Sequence, residues 1–130
     1  MSGSKFLLDT NFVIGLLKGN EQVVKYLMEH SIKISECAYS FISRIELLSY
    51  SNITNSEIVE ITTLLNAMQY LAMTPAIENT TITIRRQYTL KVPDAIIAAM
   101  ALEKNLELLT LDRKLANRMK EILTQANNIS

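Results

Sequence analysis

The pattern of hydrophobic and polar positions along the chain predicts short buried strands that alternate with amphipathic helices. Short apolar runs are typical of parallel strands covered on both faces, whereas apolar residues three and four positions apart are typical of helices. The runs that predict strands are Lys5–Leu8, Ala38–Ile42, Tyr70–Thr74 and Glu107–Thr110. The segments with helical spacing are Asn11–Lys18, Glu21–His30, Asn55–Met68, Pro93–Lys104 and the residues from Asp112 onwards. This alternation predicts an α/β fold with a parallel sheet covered by helices on both faces.

The segment Ala76–Tyr88 carries two conflicting signals. Its alternating threonine and isoleucine residues over Thr80–Ile84 favour a strand by propensity. Ile77, Ile84 and Tyr88, however, fall on one face if the segment is a helix. We favour a helix over Ala76–Tyr88, and the strand remains the alternative.

A further helix is predicted from a capping signal. Ser43 is followed three residues later by Glu46, which matches a capping box, and Ile45–Leu48 is largely apolar. The pattern therefore predicts that Ser43 caps this helix at its amino end. On this interpretation the carboxylate of Glu46 would serve the helix cap.

Length and composition predict one domain spanning residues 1–130. Hydrophobic residues make up 48% of the 130-residue chain, which is enough for a substantial core. The single cysteine cannot form an internal disulfide, and we find no secretory signal and no apolar segment suited to a membrane. We therefore expect a cytoplasmic protein without membrane contact. Residues 1–4 have the composition of a vector-derived remnant.

Four acidic residues occupy positions that point to a shared site. Asp9 and Asp112 follow predicted strands, and open parallel sheets bind ligands beyond the carboxyl ends of their strands. Asp94 lies at the start of the most apolar predicted helix, and Glu46 lies between two apolar residues. Taken singly, each acid is better explained as a helix cap, which stabilises a helix by about 1 kcal/mol. Taken together, they predict a site of hard oxygen ligands for Mg²⁺ or Mn²⁺.

The motifs around these acids resemble those of PIN-domain ribonucleases, and most closely the toxin half of VapBC toxin–antitoxin pairs. The matching segments follow the family's order and spacing over essentially the whole chain: Leu8–Asn11, Ser43–Leu47, Pro93–Ala99 and Leu109–Arg113. The resemblance implies a three-layer α/β/α sandwich with a short central parallel sheet. It also implies hydrolysis of RNA phosphodiester bonds, an antitoxin that blocks the acidic pocket, and a homodimer.

The same resemblance guides the assignment of roles. Asp9 and Asp94 are the expected central metal ligands, with Glu46 and Asp112 as additional direct or water-mediated ligands. A carboxylate-bound metal can activate water, and the sequence offers no credible serine, cysteine or histidine nucleophile. Two polar residues beside the acids, Asn11 and Thr110, are candidates to orient these ligands by hydrogen bonds. Ordinary turn and cap roles explain those two residues equally well.

The distribution of charge is compatible with a nucleic-acid substrate. The chain has 13 basic and 13 acidic residues, so setting the four candidate ligands aside leaves nine acidic residues against 13 basic ones. Arg113 and Lys114 adjoin a candidate ligand and are expected to contact RNA phosphates. Arg85 and Arg86 are weaker candidates for the same role, because charged residues on a helix are more often simply solvated.

Three other functions compete with a toxin nuclease. A catalytically weak binding or scaffold module would keep the fold without useful cleavage, although the complete acid set disfavours it. A PIN nuclease in RNA processing would share every motif named above. A phosphoryl-accepting domain would need an aspartate at the end of a middle strand, and the predicted strand Tyr70–Thr74 ends without one.

Overall fold

The structure is a computed structural model that describes residues 3–129, with side chains described for residues 3–126. The first two of the four residues interpreted as a vector remnant lie outside the described residues. The strands are β1 (Phe6–Leu8), β2 (Cys37–Ser40), β3 (Gln69–Leu71) and β4 (Glu107–Leu109). The helices are α1 (Thr10–Leu17), α2 (Glu21–Glu29), α3 (Phe41–Leu48), α4 (Asn55–Asn66), α5 (Pro75–Gln87), α6 (Val92–Glu103) and α7 (Arg113–Ile129). Among the described helices, none is long and apolar enough to cross a membrane.

The four strands form one parallel sheet with the spatial order β3-β2-β1-β4. In this register Leu8, the last residue of β1, lies between Tyr39 of β2 and Leu109 of β4. The carboxyl ends of these three strands therefore meet at one edge of the sheet. The residues that follow β1 and β4 leave the sheet side by side, which brings Asp9 close to Thr110.

Helices cover both faces of the sheet, and each face has its own hydrophobic core. Alternate residues of a strand point to opposite faces, so Leu7 packs with α5, α6 and α7, whereas Leu8 packs with α1, α2, α3 and α4. The buried residues Ala95–Ala101 make α6 the most enclosed helix. These layers confirm the predicted α/β fold class.

The ambiguous segment is helical from its start to Gln87, and the helix ends before Tyr88, which is extended; this resolves the conflict between propensity and periodicity in favour of the helix. Thr74 caps α5 by accepting a hydrogen bond from the Ile77 amide at 3.1 Å, and Pro75 occupies its first position. Ile77, Thr81 and Ile84 are buried in the core shared with α6. The strand β3 ends at Leu71 and is shorter than predicted, and Thr74 at the end of the predicted strand serves as the helix cap instead.

The prediction that Ser43 caps a helix with Glu46 is wrong. The helix α3 begins at Phe41, and its cap is Ser40, the last residue of β2, which accepts a hydrogen bond from the Ile42 amide at 3.1 Å. The chain passes from strand to helix without a loop, so the helix starts three residues earlier than the capping signal indicated. Ser43 is consequently a fully buried residue inside α3. Glu46 takes no part in capping this helix, because the cap is Ser40.

Candidate active site

The four acids predicted from the sequence lie around one pocket at the carboxyl edge of the sheet. This cavity has a volume of about 370 Å³. Residues from α1, from the first half of α6, from α3 and the segment that follows it, and from the positions just before α1 and α7 line it: Asp9, Thr10, Asn11, Ile14, Glu46, Tyr50, Pro93, Asp94, Ile97 and Asp112. The structure therefore brings together side chains separated by up to about 100 positions in the chain. Their role as metal ligands remains a prediction.

Asp9 is the most deeply buried of the four acids and is 5% exposed. Its Oδ1 accepts a hydrogen bond from the Phe12 amide at 2.8 Å, which caps α1, and its Oδ2 accepts one from the hydroxyl of Thr110. Burial nevertheless raises the pKa of Asp9, and the nearby charges of Asp94 and Asp112 raise it further, although both hydrogen bonds act in the opposite direction. The helix-cap interpretation thus describes only one oxygen of this carboxylate.

Thr110 connects Asp9 to Asp112. Its hydroxyl oxygen accepts a hydrogen bond from the Asp112 amide at 3.0 Å while its proton is donated to Asp9. Asp112 caps α7, because its Oδ1 accepts hydrogen bonds from the amides of Lys114 and Leu115 at 2.9 and 3.2 Å. Oδ2 of Asp112 accepts no hydrogen bond from the described residues and is the oxygen available to the pocket.

Glu46 is oriented by a neighbour from a different helix. The hydroxyl of Thr10 donates to Glu46 Oε1 at 2.6 Å and lies 2.8 Å from the Ser43 hydroxyl. Sequence reasoning missed both hydroxyl residues as part of the site. The available signals were that Thr10 directly follows Asp9, and that Ser43 and Glu46 are three positions apart and so share a helix face.

Asp94 differs from the other three acids because its carboxylate accepts no hydrogen bond from the described residues. Burial raises the pKa of Asp94, and the charges of Asp112 and Glu46 raise it further. The ammonium groups of Lys91 and Lys114 partly offset this by lowering it. Asp94 occupies the third position of α6, where the cap residue Lys91 has no capping side chain. Its position is therefore not explained by a role in capping.

The donor types in this pocket fit a hard divalent cation. Carboxylate and hydroxyl oxygens are the ligands that Mg²⁺ and Mn²⁺ prefer, and the charges that act on Asp9 within the described residues are those of other acids. A cation between them would relieve this repulsion. Over residues 3–126, no three acidic, histidine or cysteine side chains are close enough to hold one ion directly. Direct binding by three acids would therefore require these side chains to draw closer together.

The basic residues near the pocket only partly match those predicted. Lys91 and Lys114 lie within electrostatic range of Asp94, and sequence reasoning missed Lys91. The Nε of Arg85 donates to the Leu90 carbonyl at 3.2 Å, which fixes the turn between α5 and α6. Neither Arg85 nor its exposed neighbour at position 86 lines the pocket. Asn11 lines the pocket without a hydrogen bond to any of the four acids among the described residues.

Comparison with known proteins connects this architecture to a family. A family model described as "PIN domain" matches residues 6–121. A chain in a toxin–antitoxin complex from Klebsiella pneumoniae has a TM-score of 0.73 and 27% identity, and the match covers 85% of this chain and 88% of that chain. A chain of VapBC-1 from nontypeable Haemophilus influenzae has a TM-score of 0.71 and 25% identity, with 89% and 92% covered.

A third structure shares the fold at lower sequence identity. A chain of DNA-bound VapBC from Salmonella typhimurium has a TM-score of 0.75 and 21% identity, with 89% of this chain and 92% of that chain covered. At this identity the likeness shows the fold alone. A comparison with curated protein sequences returned no match.

Proposed function

The chain belongs to the PIN domain family of nucleases, and from this premise we propose that it is a metal-dependent endoribonuclease and the toxin of a type II toxin–antitoxin pair. The observation that carries the proposal is the gathering of Asp9, Glu46, Asp94 and Asp112 around one pocket. Only Asp9 and Asp112 are used to cap helices, and each does so with one oxygen. Oδ2 of Asp9 and Oε1 of Glu46 are each held by a threonine hydroxyl. Both oxygens of Asp94 and Oδ2 of Asp112 accept no hydrogen bond from the described residues and are therefore available to a metal.

Mg²⁺ or Mn²⁺ bound in this pocket supplies an activated water and neutralises charge on the phosphate. The residues of the chain hold the ligand oxygens in place for this role. Asp9 is fixed by the Phe12 amide and Thr110, and Asp112 is fixed by the start of α7. We further propose that Lys91 and Lys114, whose charges act on Asp94, orient the phosphates that flank the bond to be cleaved.

The proposal of a toxin rests on likeness to proteins from toxin–antitoxin complexes. An antitoxin that inserts an arginine or lysine among the four acids would neutralise them and exclude the metal. Apolar side chains beside the pocket offer surface to such a partner or to a second copy of the chain, since Ile45, Tyr50 and Val92 are each about half exposed. We propose that the free protein is a homodimer, which light scattering at high concentration would test.

The first experiment is RNA cleavage by the purified protein. We expect Mn²⁺ or Mg²⁺ to support cleavage of a mixed-sequence RNA and EDTA to abolish it. Asp94→Asn should reduce the rate by at least ~10²-fold, as expected for the loss of one charge-stabilising group. Glu103→Gln, at the opposite end of the same helix, is the matched control and should keep its activity. Cleavage that persists in EDTA, or an active Asp94→Asn variant, would contradict the assignment.

The second candidate is a PIN-fold binding module without useful catalysis. One observation favours it, namely that no three acids within the described residues are close enough to hold one ion directly. Titration with Mn²⁺ followed by calorimetry separates the two proposals. A nuclease should bind Mn²⁺ with loss of binding in Asp94→Asn, whereas a binding module should show no such site.

A toxin can be separated from a processing nuclease by genetics. Expression of the wild-type chain alone should arrest growth, and Asp94→Asn should not. Co-expression of the protein encoded next to it should restore growth if that neighbour is the antitoxin. Active enzyme that leaves growth unaffected would favour a role in RNA processing.

A further inference from the structure

A chain of two hydroxyl groups leads from the interior of α3 to the carboxylate of Glu46. Ser43 is fully buried, and its Oγ lies 2.8 Å from Thr10 Oγ1. Thr10 Oγ1 in turn lies 2.6 Å from Glu46 Oε1. The three side chains form a continuous hydrogen-bonded path that crosses from α3 to α1 and back.

The number of hydroxyl protons determines which group donates in each hydrogen bond of this path. An ionised carboxylate can only accept, so the single hydroxyl proton of Thr10 is donated to Glu46. Thr10 is then an acceptor towards Ser43, which must donate its own proton to Thr10. Hydrogen bonds in such a chain polarise one another, so the donation from Ser43 strengthens the bond from Thr10 to Glu46.

The path ties the carboxylate of Glu46 to the start of α1. Thr10 directly follows Asp9 and is the first residue of α1, whereas Ser43 and Glu46 lie on one face of α3. The Glu46 side chain is exposed, and an exposed glutamate with three rotatable bonds ordinarily samples many rotamers. A hydrogen bond from a half-buried threonine restricts it to those in which the carboxylate stays at the start of α1, beside the pocket.

We propose that Thr10 and Ser43 are positioning residues, which together hold the carboxylate of Glu46 at the pocket so that it can contribute to cation binding. The proposal rests on the proposed metal-dependent function, and neither hydroxyl needs to touch the metal or the substrate. Groups that orient metal ligands in this way commonly contribute 10- to 100-fold to affinity or activity.

The test measures Mn²⁺ binding to the full chain by calorimetry, together with RNA cleavage kinetics. Thr10→Val keeps the shape of the side chain but removes the hydroxyl, and we expect the Mn²⁺ dissociation constant to rise roughly 10- to 100-fold. Thr10→Ser restores the hydroxyl and should restore binding. At saturating Mn²⁺, Thr10→Val should recover most of its kcat with KM for RNA unchanged, because the defect lies in holding the cation.

The chain offers a matched control on its other face. Thr80 donates to Glu103 Oε2 at 2.7 Å, which is the same type of bond between helices α5 and α6. Thr80→Val should leave Mn²⁺ binding unchanged. Equal losses in Thr80→Val and Thr10→Val would show a general effect on folding and would overturn the proposal.

Two further variants separate weakened Mn²⁺ binding from loss of stability. Thr10→Val leaves the buried Ser43 hydroxyl without its acceptor, which is destabilising, whereas removing both partners is close to neutral. The double variant Thr10→Val/Ser43→Ala should therefore melt higher than Thr10→Val but bind Mn²⁺ just as weakly. Ser43→Ala alone should weaken binding to a smaller extent, because Thr10 can still donate.

The outcomes distinguish this proposal from the proposed function. Absence of Mn²⁺ binding in the wild type would overturn the proposed metal-dependent activity. Wild-type binding that is lost in Asp94→Asn but unchanged in both Thr10→Val and the double variant would leave the activity intact and overturn the positioning role.

Discussion

The acidic pocket has two walls that hold their carboxylates by different means. We call Asp9, Thr10, Ser43 and Glu46 the hydroxyl wall, because each of its two acids accepts a hydrogen bond from a threonine hydroxyl. We call a second group, Lys91, Asp94, Asp112 and Lys114, the lysine wall, because two lysine charges outside the pocket lining act on Asp94. Asp94 on that wall accepts no hydrogen bond from the described residues, and the two lysines only partly offset the effects of burial and of the neighbouring acids on its pKa.

This difference implies that the two walls have different roles in binding a cation and a phosphate. Hydrogen bonds act at short range and fix the positions of individual oxygens, with little dependence on salt. Interactions between exposed charges act over longer distances and are screened, with a Debye length of about 8 Å at physiological ionic strength. The hydroxyl wall is therefore suited to place carboxylates, and the lysine wall is suited to attract a phosphate towards them.

The largest predicted effect is loss of activity when either wall loses an acid. Asp9→Asn and Asp94→Asn should each lower kcat/KM by at least ~10²-fold. If the two walls act as one unit, the double variant should be little worse than either single variant, because catalytic groups that act together are strongly non-additive. Single-turnover RNA cleavage measures all three. A double variant that multiplies the two losses would show that the walls contribute independently.

The next prediction concerns stabilisation by metal. A ligand that binds only the folded state at 100 times its dissociation constant stabilises it by about 2.7 kcal/mol. We expect Mn²⁺ to raise the melting temperature of the wild type accordingly, and to leave Asp9→Asn and Asp94→Asn almost unchanged. Calorimetric melts with and without Mn²⁺ test this. If one variant keeps the full shift, its wall does not take part in binding the cation.

Local patterns in the sequence were sufficient to predict the order of the strands and helices and to single out four acids that line one pocket in the structure. Strand and helix periodicity placed Asp9 and Asp112 beyond the ends of strands, and the apolar surroundings singled out Asp94. The wrong capping box arose because Ser43 and Ser40 are both acceptable caps, and only tertiary packing decides which one starts α3. Local sequence cannot rank two such caps when the preceding strand can end at either position.

The connections between the walls could not be predicted in the same way. The bond from Thr10 to Glu46 joins residues 36 positions apart, and the bond from Thr110 to Asp9 joins residues 101 positions apart. These pairs depend on how α1 packs on α3 and on the parallel register of β1 and β4. Lys91 is a different case, because it lies only three positions before Asp94, and this local spacing at the start of α6 was available in the sequence.

A smaller effect should separate the walls by their dependence on salt. Lys91→Ala and Lys114→Ala should raise KM for RNA with little change in kcat at low salt. Each should also reduce the slope of log affinity against log salt concentration by the amount expected for the loss of about one phosphate contact. Thr10→Val should leave that slope unchanged. RNA binding measured in Ca²⁺ or EDTA over a range of salt concentrations tests this, and unchanged slopes in both lysine variants would remove the lysines from substrate binding.

The smallest predicted effect concerns stability in the absence of metal. Burial and neighbouring acids raise the pKa of Asp94 above its ordinary value of 3.8, so the ionised form destabilises the folded state at neutral pH. Asp94→Asn removes that charge without loss of a hydrogen bond. In EDTA near neutral pH we expect its melting temperature to exceed that of the wild type by a few degrees, since 1 kcal/mol corresponds to about 4 °C in a domain of this size.

Asp9→Asn should gain less than Asp94→Asn, although burial also raises the pKa of Asp9. An asparagine oxygen can still accept from the Phe12 amide, but the amide nitrogen then faces Thr110, whose oxygen already accepts from Asp112. The proton of Thr110 loses its acceptor, which offsets part of the relief from repulsion.

As pH falls through the folded pKa of Asp94 towards 3.8, the wild-type acid becomes protonated and the advantage of Asp94→Asn should disappear. Calorimetric melts in EDTA from about pH 7 to about pH 3 test both claims. Equal gains in the two variants, or a gain in Asp94→Asn that persists at the lowest pH, would show that hydrogen bonding does not distinguish the walls.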